Sequence, residues 1–319
     1  MPATHTTAVR IATRKSRLAL AQADLVASLL ARVAGMAHVL VEITTKGDAV
    51  RDRSIAAIGG DGVFVKELEN ALLDGRADIA VHSLKDVPTE ASVGVDAGVT
   101  IERADARDAL ITRQNRFPTI ESLPRNAVVG TSSLRRRAQL LGSRPDLDVR
   151  ELRGNVDTRV RAVLEGRYDA AVLAVAGMER IGLLKEVGGG APLDPSAFVP
   201  APGQGAIYIQ YRTGDDRIAQ LVAPLQHAPT AAATAMERTF LRQMGGGCLA
   251  PIGAFATVTG SRASLSTFVG SPNGEVSLRR AIACDASEAQ SRALSTADEL
   301  LDAGGRAILD LCRTAETNA

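Results

Sequence analysis

Several stretches of this chain hold residue types that can do chemistry. Thr131-Ser132-Ser133-Leu134-Arg135-Arg136-Arg137 sets hydroxyls beside consecutive guanidiniums, and Arg150-Glu151-Leu152-Arg153-Gly154-Asn155-Val156-Asp157-Thr158-Arg159 repeats the basic theme. The planar fork of arginine suits carboxylates and phosphates. Val81 to Pro88 carries Lys85 and Asp86 just past an apolar run, where a positioned carboxylate can shuttle a proton or stabilise a developing cation. Gly245-Gly246-Gly247-Cys248-Leu249-Ala250-Pro251 presents a single thiol on a glycine loop, which suits a nucleophile or a covalent attachment point. His5, His38, His82 and His227 show no spacing that pairs one of them with Cys248, so attachment is the better reading. The glycine-rich run Ala57 to Phe64 matches no phosphate-loop pattern and reads as a mobile loop over a cleft.

The composition narrows what the arginines bind. The 319 residues carry 37 Lys+Arg against 36 Asp+Glu, a net charge of +1, so a globally basic nucleic-acid binder is excluded. Only five of the basic residues are lysine, and residues 103–180 hold 15 arginines against 10 acids, a local charge of +5. That segment contains only Phe117 and Tyr168 as aromatics, whereas single-strand binders interleave basic residues with stacking rings. A compact polyanion fits better than a polymer. For Arg137, Arg144 and Arg161 an ion-paired helix surface is the preferred reading. Cys248, Cys284 and Cys312 lack Cys-x-x-Cys spacing, which argues against a disulfide framework or zinc site and fits a reducing cytosol. Cys284 and Cys312 read as small core residues. No apolar run reaches membrane-span length, and Met1 to Arg10 lacks a signal-peptide core, so a cytoplasmic location is expected.

The elements that must position these residues follow from periodicity. Val9 to Thr13, Val39 to Thr44, Asp78 to His82, Val128 to Gly130, Val149 to Leu152 and Ala170 to Ala176 read as strands. Helical runs alternate with them, as in α/β architecture; one spans Ser16 to Val33, with Ser16 as N-cap and Leu18, Leu25, Leu29 and Val33 on one face. Ser133, Arg135 and Arg136 open a helix, and Arg153 ends a strand, so both basic stretches fall where α/β sheets bind ligands. Gly188 to Gly205 reads as a linker. Beyond a helix from Ala231 to Met244, three strands (Ala254 to Thr259, Ala263 to Val269, Val276 to Ala283) and closing helices predict a small α+β domain with an antiparallel sheet.

Together these stretches resemble the porphobilinogen deaminase family. The resemblance rests on RIATRKS from Arg10 to Ser16, GVFVKE from Gly62 to Glu67, DIAVHSLKDVP from Asp78 to Pro88 and GTSSLRR from Gly130 to Arg136. It continues through LRGNVDTR from Leu152 to Arg159, LAVAGMER from Leu173 to Arg180, PGQGA from Pro202 to Ala206 and GGCLAPIG from Gly246 to Gly253. These run in family order along nearly the whole chain. The resemblance implies two periplasmic-binding-protein-like (type II) α/β domains with a central cleft, plus the small C-terminal domain. Residues 1–103 with 201–219 would form domain 1, 104–200 domain 2 and 220–319 domain 3.

It further implies an enzyme of tetrapyrrole and haem biosynthesis. Four porphobilinogen molecules would be deaminated and joined head to tail into hydroxymethylbilane, on a dipyrromethane primer held through a thioether to Cys248. By the same resemblance Asp86 is catalytic, and Lys85, Asp86, Thr131, Ser133, Arg135, Arg136, Arg153 and Gly154 contact the cofactor. Arg14, Ser16, Arg153, Arg159, Arg180 and Gln204 contact substrate. The implied protein is a monomer that needs no metal, nucleic acid or membrane. Two positions depart from the family pattern: many members have Ser-Pro-Leu-Ala where this chain has Ser16-Arg17-Leu18-Ala19, and a basic residue is common at Asp61. A non-catalytic two-lobed anion-binding protein is the alternative, but it gives no reason for Cys248 on its glycine loop or for Asp86.

Overall fold

The computed structural model describes residues 8–45, 62, 64–90, 92–247 and 250–317. Cys248 and Asp61 lie outside that range, as does most of the glycine-rich run before Phe64.

The elements alternate through the first two-thirds of the chain. β1 (Val9–Arg14), α1 (Arg17–Ala34), β2 (His38–Ile43), α2 (Lys66–Leu73), β3 (Ile79–Ser83) and β4 (Ala97–Thr100) come first. β5 (Asp108–Thr112), β6 (Val128–Gly130), α3 (Leu134–Ser143), β7 (Asp148–Arg150), α4 (Val156–Leu164), β8 (Ala170–Ala174), α5 (Val175–Arg180), α6 (Leu183–Glu186) and β9 (Ala191–Pro192) follow. The chain continues through β10 (Ile207–Tyr211), α7 (Asp216–Val222) and α8 (Ala228–Gln243). It closes with β11 (Ile252–Thr259), β12 (Arg262–Gly270), β13 (Ser277–Asp285), α9 (Ala289–Leu300) and α10 (Arg306–Thr317).

These elements fall into two compact units, residues 1–103 with 206–231 and residues 104–205 with 232–319. The first is built on a sheet of order β2-β1-β3-β10-β4. β1 runs parallel to β2 and β3, while β10 is antiparallel to both its neighbours. Its core joins Val9, Ile11, Ile79, Ile207 and Ile209 of the sheet to Ala23, Val26, Ala27 and Leu30 of α1. The second unit repeats the plan with order β7-β6-β8-β5-β9, where β5 is the antiparallel strand. Both sheets thus have the periplasmic-binding-protein-like topology that was expected. The same unit carries the expected three-stranded antiparallel sheet β11-β12-β13. On that sheet α8 and α9 bury Met236, Phe240, Ala293 and Leu300; Cys284 lies in this core as predicted, and Cys312 is buried.

Two readings are corrected. Helix α1 begins after Ser16, whose Oγ accepts the Ala19 amide at 3.2 Å, but its buried face is Ala19, Gln22, Ala23, Val26, Ala27 and Leu30. Leu25 and Val33 are 41% and 48% exposed. Small residues face the sheet because they let the helix approach it closely, so side-chain size pointed to the wrong stripe. The end of the Gly188 to Gly205 segment is likewise no exposed linker. Phe198, Val199 and Gln204 are buried within the second unit, and Ala254 donates to the Pro200 carbonyl at 3.0 Å.

Candidate active site

In the first unit, the residues of interest collect where β1 and β3 end. The strands are parallel with Ala12 beside Ala80, so Arg14 and Ser16 lie at the same edge as Ser83 and the turn after it. That turn is one 3₁₀ turn, Leu84–Asp86, with Leu84 buried and Lys85 and Asp86 half-buried. It is fixed from both sides: Leu84 N–H donates to the Ala206 carbonyl at 3.0 Å and Val87 N–H to the Leu84 carbonyl at 3.1 Å. Beneath it Val65, Leu84, Val87 and Ala206 form a small apolar cluster. Gln22 of α1 donates to Ser83 Oγ at 2.9 Å, tying that helix to the strand end. The Arg14 guanidinium stacks 3.9 Å from the Phe64 ring centroid, a cation–π contact that holds it at this edge. The Asp86 carboxylate has no hydrogen-bond or ion-pair partner among the described residues.

In the second unit, β6, β7 and β8 end at one sheet edge, and antiparallel β5 begins there, with Asp108 opposite Ala174. Thr131, Ser133, Arg135, Arg136, Arg153, Gly154 and Arg159 sit on the loops and helix starts that leave this edge, and Arg180 ends α5, the short helix that follows β8. Ser133 caps α3, its Oγ accepting from Arg136 N–H at 3.4 Å, and Thr131 Oγ1 accepts from Ser133 N–H at 3.2 Å. Gly154 is required as glycine: its φ is +100°, and a Cβ would lie 2.9 Å from Thr158 Cγ2. Arg159 Nε donates to the Gly154 carbonyl at 2.8 Å, and Arg153 pairs with Glu151 at 2.7 Å.

Arg135 and Arg136 are buried, and both grip one acid. Arg135 Nη1 reaches Asp108 Oδ2 at 2.7 Å, while Arg136 donates to Oδ1 from Nε at 3.0 Å and Nη2 at 2.7 Å. Gln204 Nε2 adds a fourth donor at 3.0 Å, and Arg135 Nη1 also donates to the Val199 carbonyl at 2.7 Å. Asp108 is fully buried. Its carboxyl is driven well below the carboxylate range, since the charges and hydrogen bonds of Arg135 and Arg136 overcome the burial that would raise it. Two guanidiniums against one carboxylate leave a buried net charge of +1, an arrangement that welcomes a further anion. Arg180 points the same way. Burial lowers its pKa to about 10, Glu179 offsetting only part of the effect, and its one hydrogen-bond partner among the described residues is the Gly205 carbonyl at 2.7 Å.

Asp108 escaped the sequence reading. An acid at the head of the apolar run Ala109-Leu110-Ile111 is the signal that would have found it. By contrast Arg144 is ion-paired as expected, with Asp146 at 2.7 Å, but its half-buried guanidinium also donates to the Ile120 and Leu123 carbonyls at 3.0 and 3.1 Å. The stem of the cysteine loop is tightly placed: at Gly253 a Cβ would lie 2.9 Å from the Val199 oxygen, and Ala250 N–H donates to the Gly247 carbonyl at 3.1 Å. Among the described residues no group of three or more His, Cys, Asp or Glu is arranged to hold a metal, and no helix is long and apolar enough to cross a membrane.

An α/β protein with two five-stranded sheets, each carrying hydroxyls and guanidiniums at its strand ends and one a carboxylate without a partner among the described residues, has the parts of an enzyme acting on small anions. Solved structures with a similar fold include the OxyR2 regulatory domain from Vibrio vulnificus (16% identity, 69% of this chain and 92% of that one, TM-score 0.42). Another is Rpa4515 of R. palustris solved with adipate (14% identity, 70% and 83% covered, TM-score 0.44). The family model described as "Porphobilinogen deaminase, dipyromethane cofactor binding domain" matches residues 9–220, and "Porphobilinogen deaminase, C-terminal domain" matches residues 231–302. The chain belongs to the porphobilinogen deaminase family, and its role is that of a transferase in tetrapyrrole synthesis.

Proposed function

We propose that this protein deaminates four porphobilinogen molecules and joins them head to tail into hydroxymethylbilane, on a dipyrromethane primer attached through a thioether to Cys248. The family match over both of its parts carries the reading. The chain's own residues fit such a group: the buried surplus of one positive charge at Arg135, Arg136 and Asp108 and the desolvated Arg180 suit a ligand bearing several carboxylates. Bound there, the dipyrromethane supplies a terminal pyrrole carbon nucleophilic enough to attack an activated porphobilinogen.

Lys85, Thr131, Ser133, Arg135, Arg136, Arg153 and Gly154 bind the primer's side chains in this reading. Arg14, Ser16, Arg153, Arg159, Arg180 and Gln204 bind those of the substrate. Gln204 acts from the buried side, through Asp108. Loss of ammonia from porphobilinogen leaves a pyrrole-stabilised cation. The Asp86 carboxylate, held by a fixed turn and unengaged by other side chains among the described residues, stabilises that cation and hydrogen-bonds pyrrole N–H groups. Domain boundaries at 1–103 with 201–219, 104–200 and 220–319, a monomeric state and a cytoplasmic location belong to the same reading.

The test is intact mass of the purified protein, before and after porphobilinogen is supplied. A covalent adduct of two pyrrole units, mapped to Cys248 by peptide analysis and lost in Cys248→Ser, is expected. The bare polypeptide mass with no gain on incubation would overturn the primer.

A further inference from the structure

Residues 199–203 run between two parts of the second unit. On one side lies the cluster of Arg135, Arg136 and Asp108; on the other is β11, which begins four residues after Cys248. Val199 is buried and touches both. Its carbonyl accepts Arg135 Nη1 at 2.7 Å, and at Gly253 a Cβ would lie 2.9 Å from that same oxygen and 3.0 Å from the Val199 Cβ. Beside it, Ala254 N–H donates to the Pro200 carbonyl at 3.0 Å. A shift of Val199 therefore moves a guanidinium and the exit of the cysteine loop together.

One side chain sets where Val199 sits. Gln139 lies one helical turn past Arg135 on α3, so the two share a face, and it is buried. Its Oε1 accepts the Val199 N–H at 2.7 Å and its Nε2 donates to the Val199 carbonyl at 3.1 Å. The side-chain amide thus pairs with this backbone as a neighbouring strand would. Both bonds are out of water, where a donor or acceptor left without its partner is costly, so the pairing fixes the segment firmly. The far end is held separately. Glu237 of α8 is fully buried and accepts Gly203 N–H on one oxygen and Ala256 N–H on the other, each at 2.7 Å. The loop of Gln204 therefore keeps its anchor when Gln139 is changed.

We propose that Gln139 is a positioning residue for the primer. Through Val199 it sets Gly253, at the exit of the cysteine loop, against the Arg135 guanidinium, so that a primer attached at Cys248 and gripped at its carboxylates is held in one pose. The inference rests on the primer reading of Cys248 and adds a residue that touches neither primer nor substrate.

Gln139→Leu keeps most of the volume and removes both bonds. It is expected to retain the two-pyrrole adduct, to speed amide exchange at Ala254 about tenfold, and to lower kcat about tenfold or more with KM for porphobilinogen changed less than about threefold. Gly253→Ala presses on Val199 from the opposite side and should give the same pattern; it carries the test alone if Gln139→Leu does not fold. Leu123→Ala truncates a buried side chain of the same unit ahead of β6, away from the edge where that strand ends. It should melt at a lower temperature yet keep kcat within about threefold. Loss of the adduct in Gln139→Leu but not in Leu123→Ala would support the proposal in its stronger form. Unchanged exchange at Ala254, a kcat within about threefold of the parent, or an equal kcat loss in Leu123→Ala would overturn it. Intact mass is read first, so a parent without the adduct removes the primer reading itself, whereas an adduct-bearing Gln139→Leu with normal kcat overturns only the role of Gln139.

Discussion

Asp108 and Asp86 both stand at a sheet edge among cations, yet they are suited to opposite tasks. Asp108 is buried, saturated by Arg135, Arg136 and Gln204, and its carboxyl is held far below the range in which it could exchange a proton near neutrality. It can orient guanidiniums and nothing else. Asp86 sits half-buried on a one-turn helix, with no partner among the described residues, so its oxygens remain available to a ligand. Asp86→Asn keeps the shape of the turn and removes the charge. It is expected to lower turnover about 10²-fold or more, the scale of a lost electrostatic or acid–base group, while far-UV circular dichroism stays unchanged. Turnover within a factor of three of the parent would take Asp86 out of its role. The sequence made Asp86 visible, since it follows a short apolar strand and precedes Pro88. For Asp108 the apolar run after it marks a buried acid, but its role was not legible: two of its partners lie 27 and 28 residues away and the third 96 away.

Among the elements, those whose ends are fixed locally were legible and those fixed by distant contacts were not. Ser16 and Ser133 cap α1 and α3 because a β-region serine ahead of a helix satisfies an orphan amide, a rule that needs only a few residues. The C-terminal strands were legible for the same reason, with turn residues between alternating runs. The inward face of α1 and the burial of Phe198, Val199 and Gln204 depend on what packs against them, and composition suggested a linker where the chain runs through the interior. The loop from β7 to α4 lies between these cases. Its Gly154 holds a left-handed conformation that places Arg153 and carries the carbonyl that receives Arg159. Gly154→Ala is expected to cost roughly 1–2 kcal/mol from the backbone alone, with a rise of several-fold in the KM for porphobilinogen. Adding Thr158→Ser removes the methyl group that the new Cβ would strike, and part of the loss should return. Unchanged stability and KM in the single variant would show that this loop tolerates other conformations.

The two units share a sheet plan but not their response to acid. Each places one antiparallel strand among parallel ones, β10 in the first and β5 in the second, and each has a titratable group buried in or beside that strand. In the second it is Asp108, which stays ionised far into acid. In the first it is His82, paired in register with Tyr208 of β10; burial pushes it down to about 4, the Arg14 charge adds to this, Gln210 opposes it, and its Nε2 has no hydrogen-bond partner among the described residues. Between pH 6.5 and 4 an unfolded chain protonates this histidine while the folded chain does not. Stability from His82 is therefore intact above pH 6.5 and falls as the pH drops to 4, by about 3 kcal/mol in all. The carboxyls lowered by the fold, Asp78, Asp105, Asp108, Asp146 and Asp194, begin to lose their contributions only near and below pH 4. Hydrogen exchange, corrected for intrinsic rates, should thus show β1 and β3 losing protection across that window while β6 and β8 keep theirs. His82→Gln should flatten the dependence in the first unit. An equal loss in both units, or a slope that survives in His82→Gln, would mean that some other group governs the acid response.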